Sequence, residues 1–288
     1  MTSPLVSVIV PTYNRSFFVL EAVDSIFKQT FKDFELIVVD DGSIDGTAEA
    51  LNPYKGRLIY SFQDHQGVST ARNRGIQTAR GKWVAFLDDD DLWLPEKLKT
   101  QIDFFSKNPE GMICQTQEIW IRNGRRVNPR EKHRKYSGDI FAPSLLLCLV
   151  SPSAVMIQRE LFEQVGCFDE TLPACEDYDL WLRISAQFPI FLIDQPLVVK
   201  RGGHPDQLSR TTPALDRFRI QSLVKILDSG QLTAVQYNLA FKELKAKCRI
   251  YGQGCLKRGR EKESHFYLAL PERLKKSGSL PKRGQVIR

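Results

Sequence analysis

Three short apolar runs in the first ninety residues each stop abruptly at polar side chains, and this repetition constrains the fold more than any other feature. The runs cover residues 5–10, 35–39 and 83–87, and the residues that end them include Thr12, Tyr13, Asp40, Asp41 and the aspartates 88–91. Continuous runs of this kind, rich in β-branched residues, are typical of strands buried on both faces of a parallel sheet. We therefore predict three neighbouring strands of one sheet.

Helical patterns lie close to these runs. Apolar residues recur at intervals of three and four over residues 17–30, 67–80 and 95–107, and Pro95 suits the first turn of the third helix. Strand–helix alternation favours an α/β domain with right-handed crossovers. Because ligands bind beyond the carboxyl ends of strands in open α/β sheets, the polar residues that end the runs are expected to meet at one site.

The pattern changes after residue 110. Further strands are predicted at 112–116, 119–121, 153–157 and 191–200, an exposed basic loop at 122–135, and helices at 160–165 and 176–188. From residue 213 the chain turns helical, with a helical hairpin between Thr233 and Leu270. The last residues, about 15 of them, are expected to lack regular structure. We therefore divide the chain into a domain of residues 1–212 and a helical extension of residues 213–288.

The positive charge of the chain is concentrated in this extension. The whole chain has a net charge of +7, and residues 213–288 contain 17 Lys/Arg against 6 Asp/Glu. The rest of the chain is therefore net acidic, and its acidic clusters would repel phosphates, which disfavours a nucleic-acid-binding function. The basic extension is instead expected to contact an anionic membrane surface, to pair with a partner helix, or to be a solvated face.

Three further absences bear on the compartment. No apolar run reaches the roughly 20 residues that a membrane-spanning helix needs. The apolar N-terminus carries no basic leader, so it predicts a strand and not a signal peptide. The six cysteines form no CxxC pair and are expected to be reduced, buried thiols. Together these features predict a cytoplasmic protein.

Four consecutive aspartates, residues 88–91, follow the third run. Adjacent carboxylates repel one another, and a divalent cation such as Mg²⁺ or Mn²⁺, which prefers oxygen ligands, would relieve the repulsion. The alternative is a solvated acidic loop, or a cap for the helix that begins near Pro95. The position of the aspartates after a buried strand favours the metal site.

Three more residues could contact a nucleotide. Asp41 could accept hydrogen bonds from a base or a ribose, or could complete an Asp-Gly-Ser turn. Tyr13 could stack on a base, or be an ordinary half-buried aromatic. Arg72 could pair with a phosphate or hold an aspartate, or lie on the surface.

Two residues later in the chain are candidates for chemistry. Asp177 stands beside Glu176 at the start of an amphipathic helix, where carboxylates suit capping; alternatively, Asp177 could act as a general base toward an acceptor hydroxyl. His204 follows two glycines, which allow the backbone to approach a ligand closely. It could ligate the metal or contact a diphosphate.

Five segments, taken in order, resemble glycosyltransferase family 2, a group of inverting enzymes with the GT-A fold. The segments are residues 6–14, 34–43, 67–75, 84–91 and 176–183, and the resemblance extends over roughly residues 4–210. Each motif alone is weak or moderate, but five in the same order are specific. The resemblance implies a mixed α/β sheet flanked by helices, with the helical extension outside the shared core.

The resemblance also implies roles for residues at the donor site. Pro11, Thr12 and Tyr13 would line the nucleotide pocket. Asp41 would contact the base, with Arg72 nearby.

Further roles concern the metal and the chemistry. Asp88 and Asp90 resemble the ends of the DxD motif of the family, with Asp90 as the direct metal ligand and Asp89 as the contact to sugar or ribose. Four aspartates in a row leave this register open by one residue. Asp177 is similar to the catalytic base, and His204 resembles a residue that completes the metal or diphosphate site.

The implied activity is metal-assisted transfer of a sugar, with inversion, from a nucleotide-diphosphate-sugar donor to a hydroxyl. A UDP-sugar is the favoured donor, a saccharide or lipid-linked molecule the acceptor, and a cell-surface polysaccharide or glycolipid the product. Lipid-linked acceptors in turn favour peripheral contact of the basic extension with the inner face of the membrane. The alternatives are a non-catalytic nucleotide-sugar-binding relative, disfavoured because the expected acidic positions are filled, and a nucleotidyltransferase, disfavoured by the absence of a Gly-rich phosphate loop with a lysine near the first run.

Overall fold

The computed structural model describes residues 3–204, 207 and 211–277. Within this part of the chain, nine strands form one sheet, in the order β3-β2-β1-β4-β8-β6-β9-β5, with β7 paired to β6. The strands are β1 (Val6–Thr12), β2 (Phe34–Asp40), β3 (Ile59–Phe62), β4 (Trp83–Phe86), β5 (Leu92–Trp93), β6 (Ile113–Arg122), β7 (Arg125–Val127), β8 (Val155–Gln158) and β9 (Phe191–Gly202).

The sheet is parallel in its first half and mixed in its second. Strand β1 pairs in parallel with β2 and β4, and β2 pairs in parallel with β3. Strand β8 runs antiparallel to β4 and β6, β9 is parallel to β6, and β5 is antiparallel to β9. The predicted fold class, a mixed sheet flanked by helices as in GT-A proteins, is confirmed.

Helices cover both faces of the sheet. They are α1 (Ser16–Phe27), α2 (Thr47–Ala50), α3 (Val68–Thr78), α4 (Lys97–Lys107), α5 (Phe141–Leu146), α6 (Leu161–Val165), α7 (Glu176–Ser185), α8 (Asp216–Asp228), α9 (Ala234–Leu256) and α10 (Glu261–Ser277). Side chains of α1 and α4 enter the core on one face, and side chains of α3, α6 and α7 enter the core on the other.

Strand β1 shows why the sequence contains unbroken apolar runs. Val8 and Val10 belong to the core on one face, whereas Ile9 belongs to the core on the other, and all three are fully buried. Successive side chains of a strand point to opposite faces, so a strand covered on both sides must be apolar throughout. Helix α3 lies so close to β1 that a Cβ at Gly75 would overlap the side chain of Ile9.

A third core joins the C-terminal helices to the sheet domain. Side chains of α8, α9 and α10 pack there with Phe141 and Leu145 of α5 and with Tyr178 and Leu182 of α7. Helix α9, the first helix of the predicted hairpin, begins with a capping box between Thr233 and Gln236. Among the described residues, no helix is both long enough and apolar enough to cross a bilayer.

Two local predictions were wrong. The strands expected at 112–116 and 119–121 are one strand, β6, which continues through register shifts against β9 on either side of Gln117. The loop expected at 122–135 contains β7, which folds back on β6 across a turn in which Asn123 and Gly124 both have positive φ.

Helix and chain ends differ in detail from the predictions. Helix α4 begins at Lys97, two residues after Pro95. Helix α7 ends at Ser185 instead of continuing to residue 188. The irregular structure expected at the chain end concerns mainly residues 278–288, which lie outside the described residues.

Candidate functional site

A cavity of about 1300 Å³ lies at the carboxyl ends of β1, β2 and β4, between the first turns of α3 and α7. The strand ends therefore converge as the sequence predicted. Nine of the ten predicted site residues line this cavity: Pro11, Thr12, Tyr13, Asp41, Arg72, Asp88, Asp89, Asp90 and Asp177.

The end of β1 supplies one wall. Thr12 Oγ1 donates a hydrogen bond to Asp89 Oδ2 at 2.9 Å, which ties this strand to the aspartate loop, residues 88–91. The Tyr13 ring stacks on the His65 ring with 3.9 Å between centroids and 18° between planes. Tyr13 keeps 42% of its surface exposed, so this aromatic pair offers a flat face to a planar ligand.

Asp41 anchors the loop that precedes α3. Its Oδ1 accepts hydrogen bonds from Gln63 Nε2 at 2.7 Å and from the backbone N–H of Gln66 at 2.9 Å. Its Oδ2 accepts from the N–H of Gly67 at 2.8 Å and lies 2.8 Å from His65 Nδ1. The carboxylate thus holds His65 against Tyr13 and shapes this side of the cavity through the loop.

Arg72 connects the two acidic sides of the cavity. Its Nη2 donates to Asp88 Oδ1 and its Nη1 to Glu176 Oε1, each at 2.7 Å. The guanidinium is buried over the Phe168 ring, 5.2 Å from the centroid. The sequence left three alternatives open for Arg72, and in the structure its side chain holds an aspartate, Asp88.

Arg15 pairs with the middle of the aspartate loop. Its Nη1 lies 3.2 Å from Asp89 Oδ1 and 2.9 Å from Asp90 Oδ2. Burial raises the pKa of Asp89 to about 7, an effect that the charge of Arg15 opposes.

Asp91 lines the same cavity, but its carboxylate is bound to groups of the protein. Its carboxylate accepts from Ser153 Oγ at 2.6 Å and from the N–H of Arg201 at 2.8 Å, and it is 1% exposed. Burial raises its pKa well above the usual range, against the opposing charge of Lys200. Asp91 therefore joins the loop to the short 3₁₀ helix that precedes β8 and to β9, which leaves the three preceding aspartates for a ligand.

Asp177 lies in the first turn of α7, on the opposite wall. The Cys148 sulfur lies 3.3 Å from its Oδ2 and 3.2 Å from the backbone oxygen of Val150, so the one thiol proton can be donated to either acceptor. The Oδ1 of Asp177 accepts from the N–H of Tyr178 at 2.7 Å. Burial, and after it the negative charge of Asp177, raises the pKa of Cys148 well above its usual value. The sulfur therefore stays protonated and can donate a hydrogen bond. The helix starts after Cys175, whose φ of 63° turns the chain sharply into the cavity.

His204 is the one predicted site residue outside the described cavity lining. Its ring packs edge-on to Phe18 of α1, with 4.7 Å between centroids. Lys200 and Arg201, which precede it, do line the cavity, and their side chains make hydrogen bonds to Ser151 and Glu21. The strand β9 thus brings positive charge to the site, whereas His204 itself lies beside α1.

The donor chemistry of the aspartate loop suits a cation that is shared with a ligand. Among the described residues, no group of three or more acidic, histidine or cysteine side chains is already arranged around a metal position. Mg²⁺ and Mn²⁺ are commonly held by one or two carboxylates together with substrate phosphates. The carboxylates of Asp88, Asp89 and Asp90 fit that mode better than a cage made only of protein ligands.

Sequence reasoning missed Arg15, His65, Cys148 and Lys200. Arg15 directly follows the first polar strand end, so its position immediately after the segment 6–14 was a usable signal. The other three residues lie in distant loops and strands. None of them belongs to a sequence motif, so nothing in the sequence indicated that they line the site.

A family model described as Glycosyl transferase family 2 matches residues 7–166. An uncharacterized glycosyltransferase of Rickettsia typhi is 34% identical over 217 residues, which cover 73% of this chain and 67% of that protein. An Escherichia coli protein named UDP-Glc:alpha-D-GlcNAc-diphosphoundecaprenol beta-1,3-glucosyltransferase is 32% identical over 221 residues, with 76% of this chain and 83% of that protein covered. Other Rickettsia relatives are longer, and the chain covers 31% to 35% of their length.

Solved structures share the fold. S. aureus TarS 1-349 in complex with UDP-GlcNAc superimposes with a TM-score of 0.65 at 19% identity, over 98% of this chain and 94% of that one. The mannosyltransferase PcManGT from Pyrobaculum calidifontis, in complex with GDP-Man and Mn²⁺, gives a TM-score of 0.64 at 21% identity, over 98% and 78%.

Proposed function

Because the chain belongs to glycosyl transferase family 2, we propose that it is an inverting enzyme that moves a hexosyl group from a nucleoside diphosphate sugar to a hydroxyl acceptor. One observation carries this proposal. Asp177 and the aspartate loop face one cavity from opposite walls, and Arg72 joins the two walls through Glu176 and Asp88.

The donor would lie between the aromatic pair and the aspartate loop. The Tyr13–His65 pair suits the base, with Pro11, Thr12 and Asp41 around it. A UDP-sugar is favoured, because UDP-GlcNAc is bound in the TarS structure and UDP-Glc appears in the name of the E. coli relative. PcManGT, which binds GDP-Man, makes a GDP-sugar the competing choice.

A divalent cation, Mg²⁺ or Mn²⁺, would be held by Asp90, with His204 as a further candidate ligand. Asp88 would be the other end of the motif, and Asp89 would contact the sugar or ribose. Mn²⁺ accompanies GDP-Man in PcManGT, which supports this choice. Such a cation neutralises charge on a leaving diphosphate. Asp91 is engaged inside the protein, which favours a motif that spans Asp88 to Asp90.

Asp177 would act as the general base. It takes the proton of the acceptor hydroxyl while that oxygen bonds the anomeric carbon and the bond to the nucleoside diphosphate breaks. The sugar passes through an oxocarbenium-like transition state, and attack from the face opposite the leaving group turns an α-linked donor into a β-linked product. The thiol of Cys148 holds the carboxylate during this step.

The acceptor would be a saccharide or a lipid-linked saccharide in the synthesis of a surface polysaccharide or glycolipid. The name of the E. coli relative, which contains a GlcNAc-diphospholipid, supports that class. Exposed cations and apolar side chains on α9 would place the protein on the inner membrane surface. These are Lys242, Lys245, Arg249, Ile250 and Leu256.

Sedimentation with phosphatidylcholine vesicles containing phosphatidylglycerol tests the membrane contact. Binding at low salt should weaken at moderate salt and in the triple variant Lys242→Ala/Lys245→Ala/Arg249→Ala, because the attraction is electrostatic and screened. A matched control removes three exposed lysines elsewhere, Lys28, Lys32 and Lys99. Absence of binding at low salt, or equal loss in the control, would sink the membrane proposal.

A thermal-shift screen of UDP-, GDP-, TDP- and CMP-sugars, with and without Mn²⁺, tests the proposed donor site. A ligand that binds the native state raises the melting temperature, by about 2–4 °C per kcal/mol for a chain of this class. The expected result is a shift with UDP-sugars that needs Mn²⁺ and is absent in Asp90→Ala.

Analysis of the reaction products then distinguishes a glycosyltransferase from a nucleotidyltransferase and from a non-catalytic relative. Release of UDP that depends on a GlcNAc-diphospholipid acceptor supports the transferase. Release of pyrophosphate with a nucleoside triphosphate would instead identify a nucleotidyltransferase. Donor binding without any turnover would identify a non-catalytic relative.

A further inference from the structure

The aspartate loop already carries a cation of its own. Arg15 Nη1 lies 2.9 Å from Asp90 Oδ2 and 3.2 Å from Asp89 Oδ1, so one nitrogen bridges two adjacent carboxylates. The three side chains are between 9% and 14% exposed, so the contact is poorly screened by solvent. Asp90, the residue proposed to hold the divalent cation, is therefore already paired with a positive charge.

The backbone on both sides of Arg15 is fixed. The N–H of Asn14 donates to Ser43 Oγ at 2.8 Å, and the N–H of Ser16 donates to Asp45 Oδ2 at 2.9 Å. Helix α1 begins directly after Arg15. Only the long, flexible side chain is therefore available to move, and it can do so without unfolding the segment that carries it.

We propose that Arg15 is an internal counter-ion that occupies the carboxylates of Asp89 and Asp90 before the donor arrives and exchanges them for the diphosphate when a divalent cation enters. This inference rests on the proposed metal-dependent donor site. A divalent cation beside Asp90 and a guanidinium on the same carboxylate repel each other, so the two compete for it.

The exchange gives Arg15 two opposite effects. Before the donor binds, the guanidinium lowers the affinity of the loop for a bare cation. Once displaced, it still lines the cavity, where it can pair with the negative charge of a diphosphate. Arg15 would thereby make the enzyme prefer a cation that arrives with a nucleotide over a cation alone.

The test measures binding of Mn²⁺ alone, by electron paramagnetic resonance of free Mn²⁺, and of UDP in saturating Mn²⁺, by calorimetry. In Arg15→Gln we expect Mn²⁺ alone to bind about tenfold more tightly, because a unit positive charge has left the ligands. We expect UDP with Mn²⁺ to bind about tenfold more weakly, because a phosphate contact has gone. A purely structural role would shift both affinities in the same direction.

Two variants act as controls. Arg15→Lys keeps the charge and should stay close to the parent in both measurements. Arg80→Gln removes the same side chain from an ion pair with Glu35, at the amino end of β2 and away from the cavity, and should change neither affinity.

The outcomes distinguish the two proposals. If Arg15→Gln binds Mn²⁺ alone no more tightly than the parent, the counter-ion role is wrong while the donor site stands. If the parent binds no Mn²⁺ even with UDP present, the metal-dependent donor site is wrong as well. Melting curves in EDTA confirm that each variant is folded before binding is compared.

Discussion

The guanidinium of Arg72 donates to the carboxylate of Glu176 at 2.7 Å, although the two residues lie on different helices, α3 and α7. Glu176 directly precedes Asp177, and the same guanidinium also holds Asp88. Burial, and then the neighbouring Asp177, raise the pKa of Glu176, whereas Arg72 opposes this shift. One buried cation therefore fixes the spacing between the proposed metal loop and the proposed base.

Replacement of Arg72 should destabilise the protein strongly. Arg72→Gln leaves Glu176 buried without its charged partner, and removal of one partner from a buried ion pair costs about 3–5 kcal/mol. Urea unfolding measures the loss, and the double variant Arg72→Gln/Glu176→Gln should recover part of it. Arg74→Gln, on the same helix but paired with Ser61 near the surface, is the control. A loss below about 1 kcal/mol would contradict the buried bridge.

Replacement of Asp177 should abolish transfer and spare donor binding. Asp177→Asn keeps the shape of the side chain but cannot accept a proton, and a general base contributes about 10²–10⁴ in rate. UDP binding by calorimetry should be unchanged, while acceptor-dependent UDP release falls. Asp103→Asn, at an exposed site on α4, should behave as the parent. Full turnover by Asp177→Asn would remove this residue as the base.

The thiol of Cys148 should matter through Asp177. Cys148→Ala removes the hydrogen bond to Oδ2, and we expect kcat to fall about tenfold with little change in KM for the donor, since catalytic groups must be held in position. Cys148→Ser keeps a donor and should retain most of the activity. Equal activity of the Ala and parent proteins would show that the thiol does not position the base.

Adjacent aspartates should respond in different ways. Asp90→Ala should lose Mn²⁺-dependent UDP binding and keep its stability. Asp91→Asn should instead lose about 1–3 kcal/mol of stability, because a buried hydrogen-bonded group is disturbed, and keep UDP binding once folded. Calorimetry and urea unfolding on both variants give the answer, and a reversed pattern would move the metal motif by one residue.

Lys97 should make stability depend on pH. It is fully buried against Trp93 and Gln101, and burial lowers its pKa to about 7. The unfolded chain, with a lysine pKa of about 10.4, binds more protons across that range, so stability rises as the pH rises from about 7 to 10.

The variant Lys97→Met should remove this contribution to the pH dependence. It should also stabilise the protein at pH 7 by about 1–4 kcal/mol, as apolar replacement of buried charge often does. Urea unfolding at several pH values, with exposed Lys99→Met as the control, measures both effects. An unchanged pH profile would show that Lys97 is not the responsible group.

Much of the fold could be predicted from sequence because local patterns encode it. Strands buried on both faces, such as β1, must be apolar throughout, and their polar ends converge by topology alone. The hairpin between β6 and β7 could also have been found, since an Asn-Gly pair is a strong turn signal. The count of strands in residues 112–122 could not, because β6 is continuous only through irregular pairing with β9.

The hydrogen-bond and ion-pair partners of the site residues were harder to predict from the sequence. The sequence predicts that Asp41 contacts a ligand and that Arg72 pairs with a phosphate or holds an aspartate, but it does not indicate that Asp41 anchors a loop or that Arg72 bridges two carboxylates. Their partners lie 16 to 104 positions away along the chain, and no local pattern specifies such pairs. The register of the aspartates likewise depends on Ser153 and Arg201, which only the folded chain brings to Asp91.

Helix α7 belongs to three environments at once. Asp177 faces the cavity, Trp181 packs in the core beneath the sheet, and Tyr178 and Leu182 pack among the C-terminal helices. An exchange of residues 213–277 between relatives would therefore alter the support beneath the proposed base. Such a graft would have to carry the inner faces of α5 and α7 with it, so the C-terminal helices and the position of the proposed base must change together in this architecture.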